Sequence, residues 1–191
     1  MDGREEYMAQ AHVEPQQTVP LQPIQAEGFI LDIGGGGEGI IGRLHGARVV
    51  AIDKRISELE ETRNEALKIV MDATDLKFLP ATFAAATAFF TLMYIPDADL
   101  PGVLSEAHRV LKPGGILHIW DAVIPAEAGD KKYYVLPLRI VLPDETVETG
   151  YGVKLKEQTL QTIQALAHEA GFETTGQTLG DTTFHLMLEK K

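Results

Sequence analysis

Short apolar runs alternate with amphipathic stretches from Phe29 onward. The apolar runs cover residues 29–33, 48–52, 68–71, 84–90 and 116–120. Their lengths and their content of β-branched and aromatic residues predict β-strands. The amphipathic stretches at residues 39–45, 57–62 and 99–111 predict helices. Alternation of this kind is typical of an α/β fold, so we predict a doubly wound, mostly parallel sheet with helices on both faces.

The C-terminal third departs from this alternation. Two β-rich segments flank Pro143 and Asp144, which predicts an inserted hairpin over residues 133–155. A helix is predicted over residues 157–170, ended by Gly171, and two further strands over 172–179 and 183–189. The sheet would then have seven strands.

The first 27 residues are rich in Gln, Pro and Glu. A short helix is predicted near residues 5–11, and Pro15, Pro20 and Pro23 keep the following stretch extended. We expect residues 1–27 to form an arm or lid and residues 28–191 to form one domain that includes the hairpin.

Composition narrows the choice of partners. The net charge of −11 repels a nucleic-acid backbone, so a small-molecule substrate is expected and nucleic acid is not. No apolar run is long enough to span a bilayer and no secretion signal is evident, so we expect a cytoplasmic protein without a membrane partner. The chain has no cysteine, and its six histidines lack metal-ligand spacing, so no metal site is predicted.

The stretch LDIGGGGEG carries the first chemical signal. Gly34, Gly36 and Gly39 fit G-x-G-x-x-G between a predicted strand and a predicted helix, where backbone N–H groups can approach a ligand. Asp53 ends the next strand, and a carboxylate there can accept hydrogen bonds from both ribose hydroxyls. The alternative for Asp53 is a cap on the helix that follows. The combination predicts a nucleoside cofactor.

Two cofactor classes share this geometry, the nicotinamide or flavin dinucleotides and S-adenosylmethionine. Asp32 precedes the loop, and its negative charge opposes a pyrophosphate there. A sulfonium compound with a cationic amino group is compatible with the same carboxylate. Asp32 therefore favours S-adenosylmethionine.

Five segments in order resemble the class I S-adenosylmethionine-dependent methyltransferases, in particular the small-molecule group. They are LDIGGGGEG, VVAID, MDATDLKFLP, FFTLMYIPD and HRVLKPGGILHIWD, within residues 29–120. The resemblance implies that the last strand of the sheet lies antiparallel between the fifth and the sixth. It also implies S-adenosylmethionine as the cofactor.

The resemblance places the cofactor residues one by one. The methionine part would lie near Asp32, Gly34, Gly35, Gly36 and Gly39 of the loop and near Ala88, Phe89 and Phe90 after the fourth strand. The ribose would be bound by Asp53, with Lys54 and Arg55 beside the adenosine, and the adenine by Asp72 and Ala73.

The implied reaction is transfer of a methyl group to a small neutral or cationic acceptor. This is an in-line displacement at an already activated carbon, so positioning alone can supply much of the catalysis and no catalytic residue is assigned. Tyr94 and Asp121 follow strands four and five, but each is better interpreted as a wall or turn residue than as a base. The alternatives are a nicotinamide-dependent oxidoreductase and a non-catalytic S-adenosylmethionine-binding protein.

The hairpin has two interpretations. It could cover the substrate pocket, with Tyr133, Tyr134 and Tyr151 supplying apolar faces and hydroxyls. It could equally pair across a homodimer interface, because exposed strand edges invite pairing.

Overall fold

The computed structural model describes residues 3–191, apart from the side chain of Arg4. Met1 and Asp2 of the predicted arm lie outside the described residues. The helices are α1 (Gly3–Ala9), α2 (Ile40–His45), α3 (Ile56–Glu61), α4 (Leu100–Val110) and α5 (Leu160–Glu169). The strands are β1 (Ala11–Val13), β2 (Gln17–Pro20), β3 (Ile30–Ile33), β4 (Val49–Asp53), β5 (Leu67–Val70), β6 (Phe83–Phe89), β7 (Leu111–Ala122), β8 (Tyr133–Val141), β9 (Thr146–Lys154), β10 (Phe172–Leu179) and β11 (Thr183–Lys190).

Seven strands form the central sheet in the order β10-β11-β7-β6-β3-β4-β5. The pairs β6-β7, β3-β6, β3-β4 and β4-β5 are parallel, whereas β11 is antiparallel to both β7 and β10. The predicted fold class is confirmed, including the place of the last strand between the fifth and sixth strands. All the predicted strands of this sheet are present within two residues of their predicted ends, except that β7 starts earlier.

The central strands are apolar because both of their faces are covered. All four residues of β3 are buried, as are four of the five in β4. Helices α4 and α5 contribute Leu104 and Ile163 to the core on one face, and α2 and α3 contribute Ile41 and Leu59 to the core on the other. This double coverage explains why the strands form continuous apolar runs and do not alternate with polar residues.

A second, four-stranded sheet covers the rest of the α2 and α3 face. Strands β8 and β9 form the predicted antiparallel hairpin, with Tyr133 opposite Lys154 and Val141 opposite Thr146. Strands β1 and β2 both pair in parallel with β8, at Ala11–Tyr133 and Gln17–Leu138. The arm and the hairpin, which the sequence predicted as separate features, are therefore parts of one sheet.

This sheet docks through alternate residues of β8. Tyr134, Leu136, Leu138 and Ile140 are fully buried against the second core, as the period of two in a strand requires. Within the described residues, the outer edge of β9 pairs with no other strand. A homodimer through that edge stays a prediction.

The segment between α4 and the paired part of β7 contains Lys112, Pro113 and Gly114. Leu111 pairs with Phe83, but the next pair is Ile116 with Ala85, so the intervening residues form an irregularity in the strand. Gly114 has a φ of 74°, a conformation that disfavours side chains. The turn at Lys112–Gly114 therefore lies within the bounds of β7, as an irregularity in that strand.

Candidate functional site

A cleft of about 450 Å³ opens at the carboxyl ends of four neighbouring strands, β6, β3, β4 and β5. Each strand end contributes one group of lining residues: Phe89–Thr91, Asp32–Gly34, Asp53–Arg55 and Met71–Thr74, in that spatial order. Since neighbouring strands lie about 4.8 Å apart, the strand ends span roughly 14 Å. The cleft is therefore elongated along the sheet edge, which suits a nucleoside that carries a chain.

The glycine loop closes tightly onto the end of β3. The N–H groups of Gly34 and Gly35 donate to the carbonyl oxygen of Ile52, at 2.9 and 3.0 Å. A Cβ on Gly35 would lie 2.5 Å from Oδ2 of Asp32 and 2.8 Å from Cβ of Ala51, distances that real Cβ atoms do not show. Glycine is required here because the loop backbone packs directly against the Asp32 carboxylate.

Asp32 is the buried carboxylate of the cleft. Its side chain is 2% exposed, and its Oδ1 accepts a hydrogen bond from the Thr87 hydroxyl at 2.7 Å. Burial raises the pKa of Asp32 to about 7, with a further increase from Asp53, while the Thr87 hydrogen bond acts in the opposite direction. A cationic ligand group would stabilise the ionised form of Asp32, because its charge compensates for the hydration that burial has removed.

Asp53 lies one strand away, at the end of β4. Its Oδ1 accepts from the backbone N–H of Arg55 at 2.8 Å, just before α3 begins. A Cβ on Gly36 would lie 3.0 Å from its Oδ2, so that oxygen faces the glycine loop. Arg55 is the N-cap residue of α3 and no side chain caps that helix, so Asp53 orders the turn before the helix and does not cap it, while its other oxygen faces the glycine loop.

The far end of the cleft contains an ion pair that the sequence did not indicate. Lys54 Nζ lies 2.7 Å from Oδ2 of Asp72, while Oδ1 of Asp72 accepts from the backbone N–H and the hydroxyl of Thr74 at 2.9 and 2.8 Å. These donors lower the pKa of Asp72 to about 2, with Lys54 the largest contributor. Arg55 and Ala73 also line this end.

Of the thirteen residues that the sequence assigned to the cofactor, Ala88 is placed elsewhere. Its side chain is 1% exposed and packs in the core beneath α4 and α5, because neighbouring residues of a strand point to opposite faces. Phe89 and Phe90 line the cleft, as do the other ten. Phe90 has a φ of 48°, an unfavourable value for an aromatic residue, at the point where β6 ends and the chain turns along the cleft.

The hairpin forms one wall of the cleft, a role that the sequence suggested but did not decide. Tyr151 of β9 lines the cleft and donates its hydroxyl to Oε2 of Glu38 at 3.3 Å, and the Thr149 hydroxyl bonds to the other carboxylate oxygen of Glu38. Glu38 is the one residue with a side chain between Gly34 and Gly39, which was the available sequence signal for it. The glycine loop and the hairpin are joined at this carboxylate.

Aromatic rings complete this end of the cleft. Tyr151 stacks on Phe90 with 5.4 Å between ring centroids and a 19° angle between ring planes. Tyr94 meets Tyr151 edge to face at 6.5 Å. The other two hairpin tyrosines lie outside the lining: Tyr133 contacts Tyr7 at 4.4 Å between centroids, and the hydroxyl of buried Tyr134 donates to the Val123 carbonyl at 3.2 Å.

Neither candidate base is suited to that role in the unliganded site. Although Tyr94 is 47% exposed, partial burial raises the pKa of its hydroxyl to about 12, so the hydroxyl keeps its proton at neutral pH. Asp121 is fully buried outside the cleft lining, and its oxygens accept from the N–H groups of Leu92 and Ala122 and from the Gln158 amide, each at 2.8 Å. Asp121 therefore anchors the short 3-10 helix that carries Tyr94.

All six histidines lie outside the cleft lining. His118 and His185 form a stack with Trp120 on β7 and β11, and burial lowers the pKa of both histidines to about 4. Across residues 3–191, no group of three or more His, Asp or Glu side chains is arranged to hold a metal ion. The same part of the chain contains no helix with the length and apolar character needed to cross a membrane.

Comparisons with known proteins agree with this geometry. Residues 31–119 match the family model described as a methyltransferase domain. A structure of an S-adenosylmethionine-dependent methyltransferase from Methanosarcina mazei superposes with a TM-score of 0.66 at 19% identity, covering 90% of this chain and 99% of that one. At this identity, the superposition shows the fold alone.

Two curated relatives carry specific names. A sterol 24-C-methyltransferase of Gibberella zeae is 25% identical over 156 residues, which is 75% of this chain and 39% of that protein. A demethylmenaquinone methyltransferase of Chlorobaculum tepidum is 47% identical over 45 residues, 24% of this chain and 19% of that protein. The chain spans well under half the length of these relatives. Residues 31–119, just under half of the chain, are therefore similar in sequence to a methyltransferase domain, and the chain shares its fold with an S-adenosylmethionine-dependent methyltransferase.

Proposed function

We propose that the protein transfers a methyl group from S-adenosylmethionine to a small-molecule acceptor. The observation that carries the proposal is the buried Asp32 carboxylate at the base of an elongated cleft, with the Asp53 carboxylate one strand away. This spacing suits a ligand with a cationic group at one end and a ribose beside it. The names of the curated relatives, which include sterol and menaquinone methyltransferases, favour a small molecule as acceptor.

The proposed roles follow the order of the strands. Asp32 would pair with the ligand's amino group, which restores to the carboxylate the stabilisation that burial removes. Asp53 would accept from the ribose through its Oδ2, and Asp72 with Ala73 would lie along the adenine. The glycine loop would approach the ligand with its backbone because no side chain intervenes there.

When bound, S-adenosylmethionine supplies a methyl group on a positively charged sulfur. The residues of this chain would mainly orient the acceptor and exclude water, which can contribute on the order of 7–11 kcal/mol. Phe90, Tyr94 and Tyr151 form an aromatic wall at the end where β6 terminates. A general base is needed only where an acceptor must lose its proton early.

A thermal-shift comparison tests the cofactor directly. We expect S-adenosylhomocysteine at one hundred times its dissociation constant to stabilise the protein by about 2.7 kcal/mol. NAD and NADP at the same concentration should have no effect. As a control, the variant Asp75→Ala, which changes an exposed carboxylate outside the cleft, should be stabilised by S-adenosylhomocysteine to the same extent.

Turnover is tested by following release of S-adenosylhomocysteine across a panel of small amines, alcohols, phenols and thiols. Methylation of any of them supports the proposal. Stabilisation by NAD in place of S-adenosylhomocysteine would contradict it and favour an oxidoreductase. Tight S-adenosylhomocysteine binding without methylation of any panel member would favour the non-catalytic binding protein.

A further inference from the structure

The end of the cleft next to β6 combines a carboxylate with aromatic rings. Glu38 lies in the glycine loop, and the rings of Phe90, Tyr94 and Tyr151 line the same end. Tyr151 connects the two features, since its ring stacks on Phe90 and its hydroxyl donates to Glu38. These residues come from three distant parts of the sequence, and the hairpin brings them together.

Charges are unevenly distributed along the cleft. The lining cations are Lys54 and Arg55, both at the end of β4, and Lys54 is already paired with Asp72. The lining charges nearest the aromatic wall are the carboxylates of Asp32 and Glu38. Among the described residues that line the cleft, no lysine or arginine lies at that end. Cations just outside the lining are paired with other carboxylates: Arg43, whose Nε donates to the Glu38 backbone carbonyl, pairs with Glu145, and Lys156 pairs with Asp97. The lining at this end therefore carries a net negative charge.

This negative charge matters for the direction in which charge moves during methyl transfer. When the acceptor lone pair forms the new bond to the methyl carbon, the carbon–sulfur bond breaks and its electron pair goes to sulfur. The sulfur becomes neutral, and an amine acceptor becomes a methylated ammonium. Positive charge thus moves onto the acceptor nitrogen, and a proton on that nitrogen leaves afterwards to a carboxylate or to water.

Aromatic faces and a carboxylate both stabilise a cation at that position. A cation over an aromatic ring is attracted by the ring quadrupole, more strongly where water is excluded. The same surroundings disfavour a phenolate or carboxylate acceptor, because like charges repel in a partly desolvated site. The electrostatics distinguish acceptors by charge, which shape alone does not.

On this basis, which rests on the methyltransferase function proposed above, we propose that the acceptor is an amine. Glu38 is the specificity-determining residue, and the rings of Tyr94 and Tyr151, supported by the buried Phe90, contact the nitrogen substituents.

A matched pair of probes isolates the charge. Choline and 3,3-dimethylbutan-1-ol have nearly the same shape, but only choline is a cation. Binding of each probe is measured by ligand-observed NMR on the protein saturated with S-adenosylhomocysteine. We expect choline to bind at least about tenfold more tightly, as a desolvated cation on aromatic rings should. Equal or weaker binding of choline, or binding of neither probe, overturns the proposal.

Variants test the assignment to Glu38. Glu38→Gln should reduce the preference for choline at least about fivefold, since it removes the charge and keeps a hydrogen-bonding group toward Thr149 and Tyr151. The control is Glu148→Gln, which removes one negative charge from an exposed position on the same hairpin. An unchanged preference in Glu38→Gln, or an equal loss in the control, contradicts the assignment. If Glu38→Gln does not fold, Tyr151→Leu is used in its place, with loss of the preference as the expected result.

The same experiment separates this proposal from the function on which it rests. Saturation with S-adenosylhomocysteine is established first, by thermal shift. If that ligand does not bind, the proposed function fails and the amine proposal fails with it. If it binds and choline is not preferred, only the amine proposal is wrong.

Discussion

Replacing Asp32 by Asn is expected to make the unliganded protein more stable and its cofactor binding much weaker. The carboxyl group is buried at 2% exposure, and burial raises its pKa from an ordinary 3.8 to about 7. An acid whose pKa is higher in the folded state holds its proton more tightly there. The stability that it contributes is therefore present at low pH and is lost as the pH rises through about 7.

The magnitude follows from the two pKa values. The difference between 3.8 and about 7, at 1.36 kcal/mol for each pKa unit, lowers the free energy of unfolding by about 4 kcal/mol at pH 8. At pH 5.5 the folded state is still protonated, and the same linkage gives a loss of about 2 kcal/mol. Asparagine does not titrate, so the variant escapes both losses. Its amide can still accept from Thr87 through Oδ1.

Urea denaturation of both unliganded proteins at pH 5.5 and pH 8 measures this effect. Both values lie above the isoelectric point of about 4.9, which limits precipitation. The advantage of the variant should increase by about 2 kcal/mol between the two pH values. Any packing difference between Asp and Asn is independent of pH and cancels in this comparison. A difference that is equal at both pH values would refute the assigned pKa.

The same variant should bind S-adenosylhomocysteine at least about thirtyfold more weakly by calorimetry. Losing one partner of a buried charge pair costs about 2–5 kcal/mol, and this ligand carries the same amino group as the cofactor. Unchanged affinity would show that Asp32 does not contact that group, whatever the stability result. A protein that gains stability and loses its ligand together would establish Asp32 as a binding residue that the fold itself does not need.

Three further changes test other parts of the site. Asp53→Ala should weaken S-adenosylhomocysteine binding about tenfold to a hundredfold, as expected for the loss of hydrogen bonds to a charged group. Asp75→Ala should leave the affinity unchanged. Equal affinities of the two variants would contradict the ribose assignment. Gly35→Ala should lower the free energy of unfolding by about 1–3 kcal/mol, because the loop must move away from Asp32 and Ala51. Gly102→Ala in α4 places its Cβ at an ordinary contact distance of 3.8 Å from Thr74 and should be neutral or stabilising by up to about 1 kcal/mol. Asp121→Ala should cost at least about 2 kcal/mol in thermal or urea denaturation, since the buried N–H groups of Leu92 and Ala122 lose this acceptor and the Gln158 amide keeps only the Ala122 carbonyl. An unchanged stability would contradict its anchoring role.

Most of the cleft lining at the ends of β3, β4 and β5 was predictable because each signal is local. The glycine loop, Asp32 and Asp53 occur at fixed positions relative to short, β-rich apolar runs that predict buried strands. Parallel strands then bring their carboxyl ends to one edge of the sheet without further information. Ala88 shows the limit of this reasoning, because the pattern locates the strand but does not say which of its faces meets the ligand.

The arm and the hairpin mark a second limit. The sequence indicated an extended arm and a β-rich hairpin, and both exist. Their parallel pairing joins residues such as Ala11 and Tyr133 that are far apart in the chain. Strand pairing of this kind depends on backbone hydrogen bonds that every sequence can form, so the residues themselves carry little signal for a particular partner.

The sequence by itself determined which chemical groups follow each strand: a glycine loop after the first strand of the main domain and an acid after the second. It also determined the net negative charge, which disfavours nucleic acid. The tertiary structure decided which side chains line the cleft. Only in the folded chain does Tyr151 reach Glu38, 113 residues earlier, and stack on Phe90. The reason is physical: strand ends follow from local burial patterns, whereas contacts across the cleft depend on how the two sheets pack against each other.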